Sequence, residues 1–436
     1  MLYFVSEKLV LMLIFSDCMR EIKRNKYLDQ LISGRHNGLI KIITGIRCCG
    51  KSYLLFNLFH EYLISEGVEE SHIIEIALND SLNEEYRKSH KLLRYIKGRM
   101  TDNSFYYILL DDFQMMDDVS MVLNSLLHVN NSDVYVTINN LKFLSTDVAS
   151  QLREHCDEIH VYPLSFAEYI SVYDGETQDA WRNFCIYGGL PSVLSLDSDE
   201  EKTTYLQNLY HTVYLRDMVE RNKIQNVLGI DKLIKILASS IGLAINPNKL
   251  AYTYKNIEHS VLGPETIGFY LTYLQEASLI EKSLRLDILG NKYVGTFSKY
   301  YFTEMGLCNV LLGFHKLDEE HLIENVLCNE LRMRGFLVDV GMLEVENDYG
   351  EKKARCKHYE VDFVASKDSK RYFVQSAVSL SDSKEMSQKL IPLSHLPDNF
   401  KKIIIVKDNI TPWHNEKGIL LLGLFDFLLN PESMDL

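Results

Sequence analysis

The amino-acid sequence predicts an α/β protein whose first part is a parallel sheet covered by helices on both faces. Short apolar runs alternate with amphipathic segments between residues 24 and 170, and a glycine-rich turn joins the first run to its helix. At about 150 residues per domain, a chain of 436 residues corresponds to roughly three domains. We therefore expect an α/β domain followed by further modules.

The composition excludes several classes of protein. Hydrophobic residues make up 46% of the chain and charged residues 24%, which is ordinary for a globular protein and unlike a disordered or collagen-like one. The formal net charge of −14 disfavours a protein that relies on non-specific DNA contacts. No C-x-x-C pair occurs among the eight cysteines, so we expect reduced thiols and a cytoplasmic protein.

The first residues are expected to lie outside the folded protein. Residues 9–15 form an apolar run that is much shorter than the roughly 20 residues of a membrane helix. A basic start and a cleavage site for secretion are also missing. We interpret residues 1–18 as a non-native extension, place the start near Met19 and expect no membrane segment.

The strands and helices of the first domain follow from apolar patterning. We expect strands at residues 39–44, 72–77, 105–110, 133–137 and 158–162, with helices at 53–64 and 120–128. This ATPase-like domain is predicted to cover residues 19–172, and a helical connector residues 173–228.

The rear half divides into two predicted modules. Residues 229–312 carry helices at 234–242, 247–255 and 264–277, then strands at 280–286 and 299–303, which is the order of a winged helix-turn-helix. Residues 313–436 return to α/β, with a helix at 321–334 and strands at 360–365, 372–377 and 402–406.

A phosphate-binding loop lies between the first strand and its helix. The letters GIRCCGKS from Gly45 to Ser52 match G-x-x-x-x-G-K-[ST] in the required strand–turn–helix context. Glycines let backbone N–H groups surround phosphate oxygens, and the helix N-terminus favours negative charge. We expect ATP and Mg²⁺ as ligands, bound by Gly45, Ile46, Arg47, Cys48, Cys49, Gly50, Lys51, Ser52 and Tyr53.

Two further strand ends supply candidate catalytic groups. The strand before Asp111 and Asp112 ends at the carboxyl edge of the sheet, where Asp111 would hold Mg²⁺ together with Ser52 and Asp112 would position water. Many such enzymes carry a glutamate at the second position, and Asp112 is one methylene shorter. We therefore expect slow hydrolysis. Asn140, after the next strand, either senses the γ-phosphate or belongs to an Asn-rich turn.

These residues resemble the AAA-type ATPases of prokaryotes that carry a "domain of unknown function 4143" behind the motor, a group similar to a branch of the STAND-like ATPases. The likeness extends over nearly the whole chain from Met19. Besides the phosphate loop and residues 110–114, the matching segments are residues 26–28, 134–137, 161–166, 187–191, 300–303, 306–307 and 324–325. The resemblance implies an ATPase of the ASCE type, and it is compatible with an oligomer.

The sequence departs from the pattern of this family at three positions. Cys48 replaces a basic residue of the loop, and Asp112 replaces a glutamate. His155 occupies the position of an arginine, for which Arg153 is the alternative. If that arginine senses phosphate, ATP binding survives these changes better than turnover does.

The rear modules allow binding or a lost nuclease activity. The third helix of the winged-helix-like module has no Lys or Arg, so DNA binding would depend on a rim formed by Lys249, Lys255, Lys282, Arg285 and Lys292. The last module resembles the PD-(D/E)xK nuclease fold, with Glu324 (or Glu330), Asp362 and Gln375 at the acidic positions. Ala377 replaces the lysine of that motif, which predicts an inactive site.

The sequence therefore predicts a slow ATPase that acts as an ATP-dependent switch. Its output would be an unidentified protein partner or a nucleic acid. Two alternatives stay open. One is an ATP-gated nuclease that processes DNA, and the other is a nucleotide-binding structural protein without turnover.

Overall fold

The computed structural model describes residues 21–139, 155–256, 262–314, 319–347 and 355–436. Three of the sequence-based expectations, namely the 1–18 extension, Asn140 and Arg153, lie outside these residues. The strands of the described residues form one five-stranded and one eight-stranded sheet. No helix within the described ranges is both long and apolar enough to span a membrane.

The first sheet is parallel and has the order β2-β3-β4-β1-β5. Each strand overlaps one that the apolar patterning predicts, so the parallel α/β fold of this part is confirmed. β3 ends directly at Asp111. The strands are β1 (Ile40–Thr44), β2 (Ile73–Ala77), β3 (Tyr106–Asp111), β4 (Ser132–Thr137) and β5 (Cys156–His160).

Helices cover both faces of this sheet. Ile42 and Ile43 of β1 belong to different apolar cores because successive residues of a strand point to opposite faces. The helices are Asn25–Ser33, Lys51–Tyr53 continued by the π-helical turn Leu54–Phe59 and by His60–Ser65, Ser89–Arg99, Val119–Leu127 and Phe166–Val172, with 3₁₀ turns at Glu70–His72, Ser81–Arg87 and Phe113–Met115.

Residues 173–228, for which a helical connector is predicted, contain five complete helical segments among the described residues. The last three of these segments run without a break from Asp199 to Arg221, and Ser198 and Glu201 form a capping box at the start. The segments are Thr177–Tyr187, Pro191–Leu194, Asp199–Asn208, the π-helical Leu209–Leu215 and Arg216–Arg221. We call the continuous stretch 199–221 the connector helix.

The rear helices occur in the predicted order. The first one begins seven residues earlier than the predicted residue 234, because the Asn226 side chain accepts a hydrogen bond from the Gly229 N–H at 2.8 Å and caps it. The helices are Val227–Ala238, Pro247–Asn256, Pro264–Glu276, Met305–Leu311, Glu319–Met333, Ser383–Ser394 and Leu424–Leu429, with a 3₁₀ turn at Ser433–Asp435.

The second sheet has the order β12-β13-β11-β10-β9-β8-β6-β7. The hairpin formed by β6 and β7 extends this sheet, since Leu286 pairs in parallel with Gly341 of β8. The predicted boundary between residues 312 and 313 therefore separates segments that share one sheet. The strands are β6 (Ile280–Asp287), β7 (Lys292–Phe302), β8 (Leu337–Asn347), β9 (Arg355–Lys367), β10 (Lys370–Ala377), β11 (Lys401–Val406), β12 (Trp413–His414) and β13 (Ile419–Gly423).

A buried glutamate joins the connector to the rear half. The carboxylate of Glu304 is 1% exposed and accepts backbone N–H groups from Gly189, at 3.1 and 3.2 Å, and from Gly306, at 3.0 Å. Burial raises the pKa of Glu304 to about 8, although these hydrogen bonds oppose the shift. Residues 187–191 and 300–307, which carry the family resemblance separately, therefore meet at this carboxylate.

The Gly188→Ala variant tests how tightly this junction is packed. Gly188 has φ +80°, and a Cβ there would lie 1.3 Å from Oε1 of Glu304. We expect the free energy of unfolding to fall by roughly 2–5 kcal/mol in a urea titration. Gly268→Ala is the control, because its Cβ would meet nothing within 4 Å. Equal stability of the two variants would contradict this packing.

The Glu304→Gln variant tests the charge of this group. The ordinary pKa of a glutamate is 4.5, so between pH 4.5 and about 8 the folded state holds a proton that the unfolded state releases. The stability that this proton provides is complete below pH 4.5 and is lost as the pH rises through about 8. We expect the variant to gain stability over the wild type from pH 6 to pH 8, by at most about 1.4 kcal/mol per pH unit, in urea titrations.

The exposed Glu416→Gln exchange is the control for this pH series. Its difference from the wild type should stay constant between pH 6 and pH 9. A difference between Glu304→Gln and the wild type that does not grow with pH would show that Glu304 is charged in the folded protein.

Candidate nucleotide-binding site

The phosphate loop has the backbone geometry that a phosphate cradle needs. Gly45 and Gly50 have φ values of +145° and +100°, and a Cβ on Gly45 would lie 2.1 Å from the carbonyl oxygen of Val161. The ammonium group of Lys51, which is 7% exposed, donates to the carbonyls of Gly45 at 2.9 Å and Ile46 at 3.1 Å. The loop thus folds around the lysine that reaches phosphates in such sites.

Asp111 lies directly beside the hydroxyl of Ser52, as the sequence predicts. Its two carboxylate oxygens accept hydrogen bonds from Ser52 Oγ at 2.8 Å and from Thr137 Oγ1 at 2.5 Å. Burial, followed by the charge of Asp112, raises the pKa of Asp111 to about 6, while these hydrogen bonds and the Lys51 charge oppose the shift. A carboxylate and a hydroxyl at this separation are the protein oxygen ligands that Mg²⁺ uses beside phosphates.

Asp112 adopts a left-handed conformation with φ +54° and ψ +45°, which is uncommon for residues other than glycine, asparagine and aspartate. Its backbone N–H donates to Thr137 Oγ1 at 2.9 Å, and its carboxylate accepts Nε2 of Gln114 at 2.5 Å. In the sequence, Gln114 stands out only as the last residue of the matching segment 110–114. The structure shows that this residue holds the Asp112 carboxylate.

Asn139, the neighbour of the predicted Asn140, reaches the phosphate loop. Its Oδ1 accepts a hydrogen bond from the Lys51 ammonium at 3.3 Å, and its buried Nδ2 has no acceptor among the described residues. A buried amide donor without a partner is suited to an incoming acceptor such as a phosphate oxygen. The pair Asn139-Asn140 indicates in the sequence that a polar side chain follows β4. The spacing alone does not show which of the two residues reaches the phosphate loop.

The sequence analysis also singles out Tyr53 and His155, and these two residues lie in environments that differ from each other. Tyr53 is half-buried on the helix after the loop, and its ring packs against the apolar core of the sheet. His155 precedes the first residue of β5, whereas the phosphate loop follows the last residue of β1, and the two strands are parallel. His155 therefore lies at the opposite edge of the sheet, too far from the loop to sense phosphate.

The sequence analysis missed the arginine that fastens the phosphate loop to β5. Arg24 is 3% exposed and donates to the carbonyls of Cys49 at 3.2 Å and Tyr162 at 2.7 Å. Its Nε lies 3.1 Å from a carboxylate oxygen of Glu168. The residue precedes the quoted segment 26–28, and no motif identifies it, because its partners are distant in the sequence.

The connector helix closes one side of the loop. The hydroxyl of Tyr214 donates to the carbonyl of Arg47 at 3.1 Å, and a guanidinium nitrogen of Arg47 lies 3.4 Å from a carboxylate oxygen of Asp217. A cavity between the helix and the loop is lined by Arg47, Asn139, Val213, Tyr214, Asp217, Met218, Asn222, Tyr273 and Ala277.

The three residues of the predicted vestigial nuclease site lie close together, Asp362 and Gln375 on β9 and β10 of the second sheet and Glu324 on the helix Glu319–Met333. Glu324 and Asp362 are both buried, and Gln375 spans two backbone groups, with Oε1 accepting the Asp362 N–H at 3.4 Å and Nε2 donating to the Glu360 carbonyl at 2.9 Å. The alternative residue, Glu330, pairs instead with Arg334 at 2.8 Å.

Two lysines that the sequence analysis missed occupy this acidic cluster. The ammonium of Lys299 lies 2.9 Å from Glu324 and 2.7 Å from Glu360, and that of Lys389 lies 3.0 Å from Asp362 and 2.9 Å from Glu320. The lysine position of the motif is held by Ala377, as the sequence analysis states, but two amines reach the cluster from β7 and from helix Ser383–Ser394. No group of three or more Asp, Glu, His or Cys side chains among the described residues is arranged to hold a metal ion.

Comparisons with known proteins agree with this geometry. Residues 37–170 match the AAA domain family, and residues 178–318 match a domain of unknown function, DUF8612. The second match covers much of the region for which the resemblance implied domain 4143.

Two relatives align over most of the chain. An uncharacterized protein of Haemophilus influenzae is 29% identical over 414 residues, which are 94% of this chain and 98% of the relative. An uncharacterized protein of Methanocaldococcus jannaschii is 28% identical over 364 residues, covering 79% and 76% of the two chains.

Among solved structures, the chain is similar to a Walker-type ATPase of Pyrococcus abyssi, with 14% identity, a TM-score of 0.44, and coverage of 67% of this chain and 96% of that one. It is also similar to AMPPCP-bound DnaA from Aquifex aeolicus, with 10% identity, a TM-score of 0.30, and coverage of 60% and 91%.

The strand order, the loop geometry and the family match point to the same assignment. Together they support an AAA-type P-loop ATPase domain that binds nucleotide in residues 37–170.

Proposed function

We propose that the chain is an ATP-dependent switch that binds ATP·Mg²⁺, hydrolyses ATP slowly, and passes its nucleotide state to a rear module that binds a protein partner. The observation that carries the proposal is the convergence of Lys51, Ser52, Asp111 and Asn139 around one loop. Lys51 and the loop N–H groups would bind the phosphates. Ser52 and Asp111 would hold Mg²⁺, which when bound offsets the negative charge of the phosphates.

Slow turnover is supported by the residue that would position water. Asp112 is one methylene shorter than the glutamate common in this class. A base that is held at a distance from the reacting water loses much of its effect, since positioning dominates phosphoryl transfer.

A protein partner is supported by the charge of the rear helices. In the winged-helix-like module, Pro264–Glu276 is the helix that would read DNA, and it has two glutamates, an exposed Phe269 and no Lys or Arg. Protein interfaces favour such aromatic side chains, whereas phosphate contacts need cations. The order of three helices and a hairpin supports this module, and an oligomer remains a prediction.

A nuclease-like tail in residues 313–436 remains part of the proposal as a fold without catalysis. The proximity of Glu324, Asp362 and Gln375 supports the likeness. Lys299 and Lys389 each contact two carboxylates of the cluster, so the amines already balance charge that a metal ion would otherwise balance. The resemblance to the family with domain 4143 and to its STAND-like branch also stays at the level of a proposal.

The Lys51→Ala variant tests nucleotide binding. We expect the affinity for ATP, measured by isothermal titration calorimetry in the presence of Mg²⁺, to fall at least tenfold, because a buried cation that would contact the phosphates is lost. The exposed Lys97→Ala exchange is the control and should leave the affinity unchanged. Equal ATP affinity of Lys51→Ala and wild type would refute the proposed site, provided that both melt at similar temperatures.

The Asp112→Asn variant separates turnover from binding. We expect ATP affinity within about threefold of wild type, while single-turnover phosphate release falls by about 10²-fold or more, as for the loss of a positioned base. Gln114→Leu should also slow release, because it frees the carboxylate of Asp112. The exposed Asp29→Asn exchange serves as the control. Unchanged release in Asp112→Asn would remove Asp112 from the mechanism.

A further inference from the structure

Two residues of the connector helix, Tyr214 and Asp217, contact the phosphate loop at Arg47. The buried hydroxyl of Tyr214 binds the Arg47 carbonyl at 3.1 Å, while the Asp217 carboxylate lies 3.4 Å from the guanidinium. Because Tyr214 and Asp217 are three residues apart, they lie on one face of the helix. The main chain of Arg47 is thus held by a partly buried hydrogen bond from the buried Tyr214, and its side chain by a separate contact.

The contact between the two side chains is the weaker of these. The side chains of Arg47 and Asp217 are each 34% exposed. Exposed ion pairs contribute only about 0.2–1 kcal/mol, since water screens the charges. The guanidinium can therefore exchange Asp217 for a more highly charged acceptor while Tyr214 keeps the backbone in place.

Arg47 and Asn139 both carry hydrogen-bond donors and both line the cavity beside this pair. Asn139 presents a buried Nδ2 without an acceptor among the described residues, and its Oδ1 binds Lys51. Burial lowers the pKa of the nearby Arg221, as the charge of Arg47 does, whereas the charge of Asp217 raises it. The guanidinium of Arg47 and the amide donor of Asn139 lie beside one carboxylate in this cavity, and such donors favour a further anion at this point.

We propose that Asp217 is a positioning residue which holds Arg47 away from the nucleotide until the terminal phosphate of a nucleoside triphosphate displaces it. The inference rests on the proposed function, since it assumes that Lys51 binds the β- and γ-phosphates. Arg47, Lys51 and Asn139 surround the same end of the site, so the terminal phosphate is the group that competes with Asp217. A diphosphate lacks that group and leaves the ion pair intact.

The exchange at Asp217 connects the nucleotide to the rear half. Residues 199–208 of the connector helix pack against Met305–Leu311, and Tyr273 and Ala277, at the end of helix Pro264–Glu276, line the cavity next to Asp217. Displacing the carboxylate frees one of the contacts between the loop and the helix. The nucleotide state thereby changes how firmly the connector helix is held.

The Asp217→Asn variant tests this inference in the full-length protein. We measure the dissociation constants of a non-hydrolysable ATP analogue and of ADP with Mg²⁺ by calorimetry. The variant should bind the ATP analogue about two- to fivefold more tightly than wild type, the equivalent of an exposed ion pair, with ADP affinity unchanged. Glu220→Gln is the matched control, because that carboxylate of the same helix faces solvent and pairs with Arg216 at 3.5 Å.

A double-mutant cycle shows whether the effect passes through Arg47. Arg47→Gln should lose the preference for triphosphate over diphosphate, and adding Asp217→Asn to it should change nothing further. Wild-type selectivity in Asp217→Asn, or an effect that persists in the Arg47→Gln background, would overturn the proposal alone. No binding of either nucleotide by wild type would instead overturn the proposed function. Asp217→Ser repeats the measurement should the asparagine variant unfold.

Discussion

The parallel pairing of β4 with both β1 and β3 is the constraint on which the nucleotide site depends. Parallel neighbours end at the same edge of a sheet, so the phosphate loop after β1, the aspartates at the end of β3 and Asn139 after β4 meet there. Thr137, the last residue of β4, donates to Asp111 and accepts from the Asp112 N–H. A shift of β4 by one residue would place Ile138 at this position and break both contacts.

The sequence predicts those features of the structure that depend on neighbouring residues or on a known motif. Strand positions, the phosphate loop and the pairing of Ser52 with Asp111 follow from apolar patterning and from a motif whose spacing is dictated by the ligand. Arg24, Tyr214 and Lys389 could not be found in this way, because no motif links them to their partners, which lie 25 to 167 residues away in the chain. Which of two adjacent asparagines meets Lys51 depends on a backbone turn that the letters do not encode.

The acidic cluster of the second sheet illustrates the same difficulty. A search for a lysine two residues after Gln375 finds Ala377, yet two amines reach the cluster from other elements. Glu324 is also bound by the hydroxyl of Tyr301 at 2.7 Å, and Asp362 by the backbone and hydroxyl of Ser376 at 2.8 and 2.9 Å. Buried charges need such partners to offset desolvation. Here the protein supplies them itself, which supports the proposal that the cluster is part of the fold rather than an exchangeable ion site.

Two of the contacts that join the ATPase domain to the segments behind it differ in burial, and this difference indicates which one can respond to a ligand. At Glu304, buried hydrogen bonds join Gly189 to the helix that begins at Met305, and the Gly189 carbonyl accepts the Leu164 N–H at 2.8 Å. At Arg47, the side-chain contact with the connector is partly exposed. A buried hydrogen-bonded junction resists opening more than an exposed ion pair does. If the proposed switch operates, the partly exposed contact between Arg47 and Asp217 is therefore the one that a ligand would break first, and the buried Glu304 junction would stay closed.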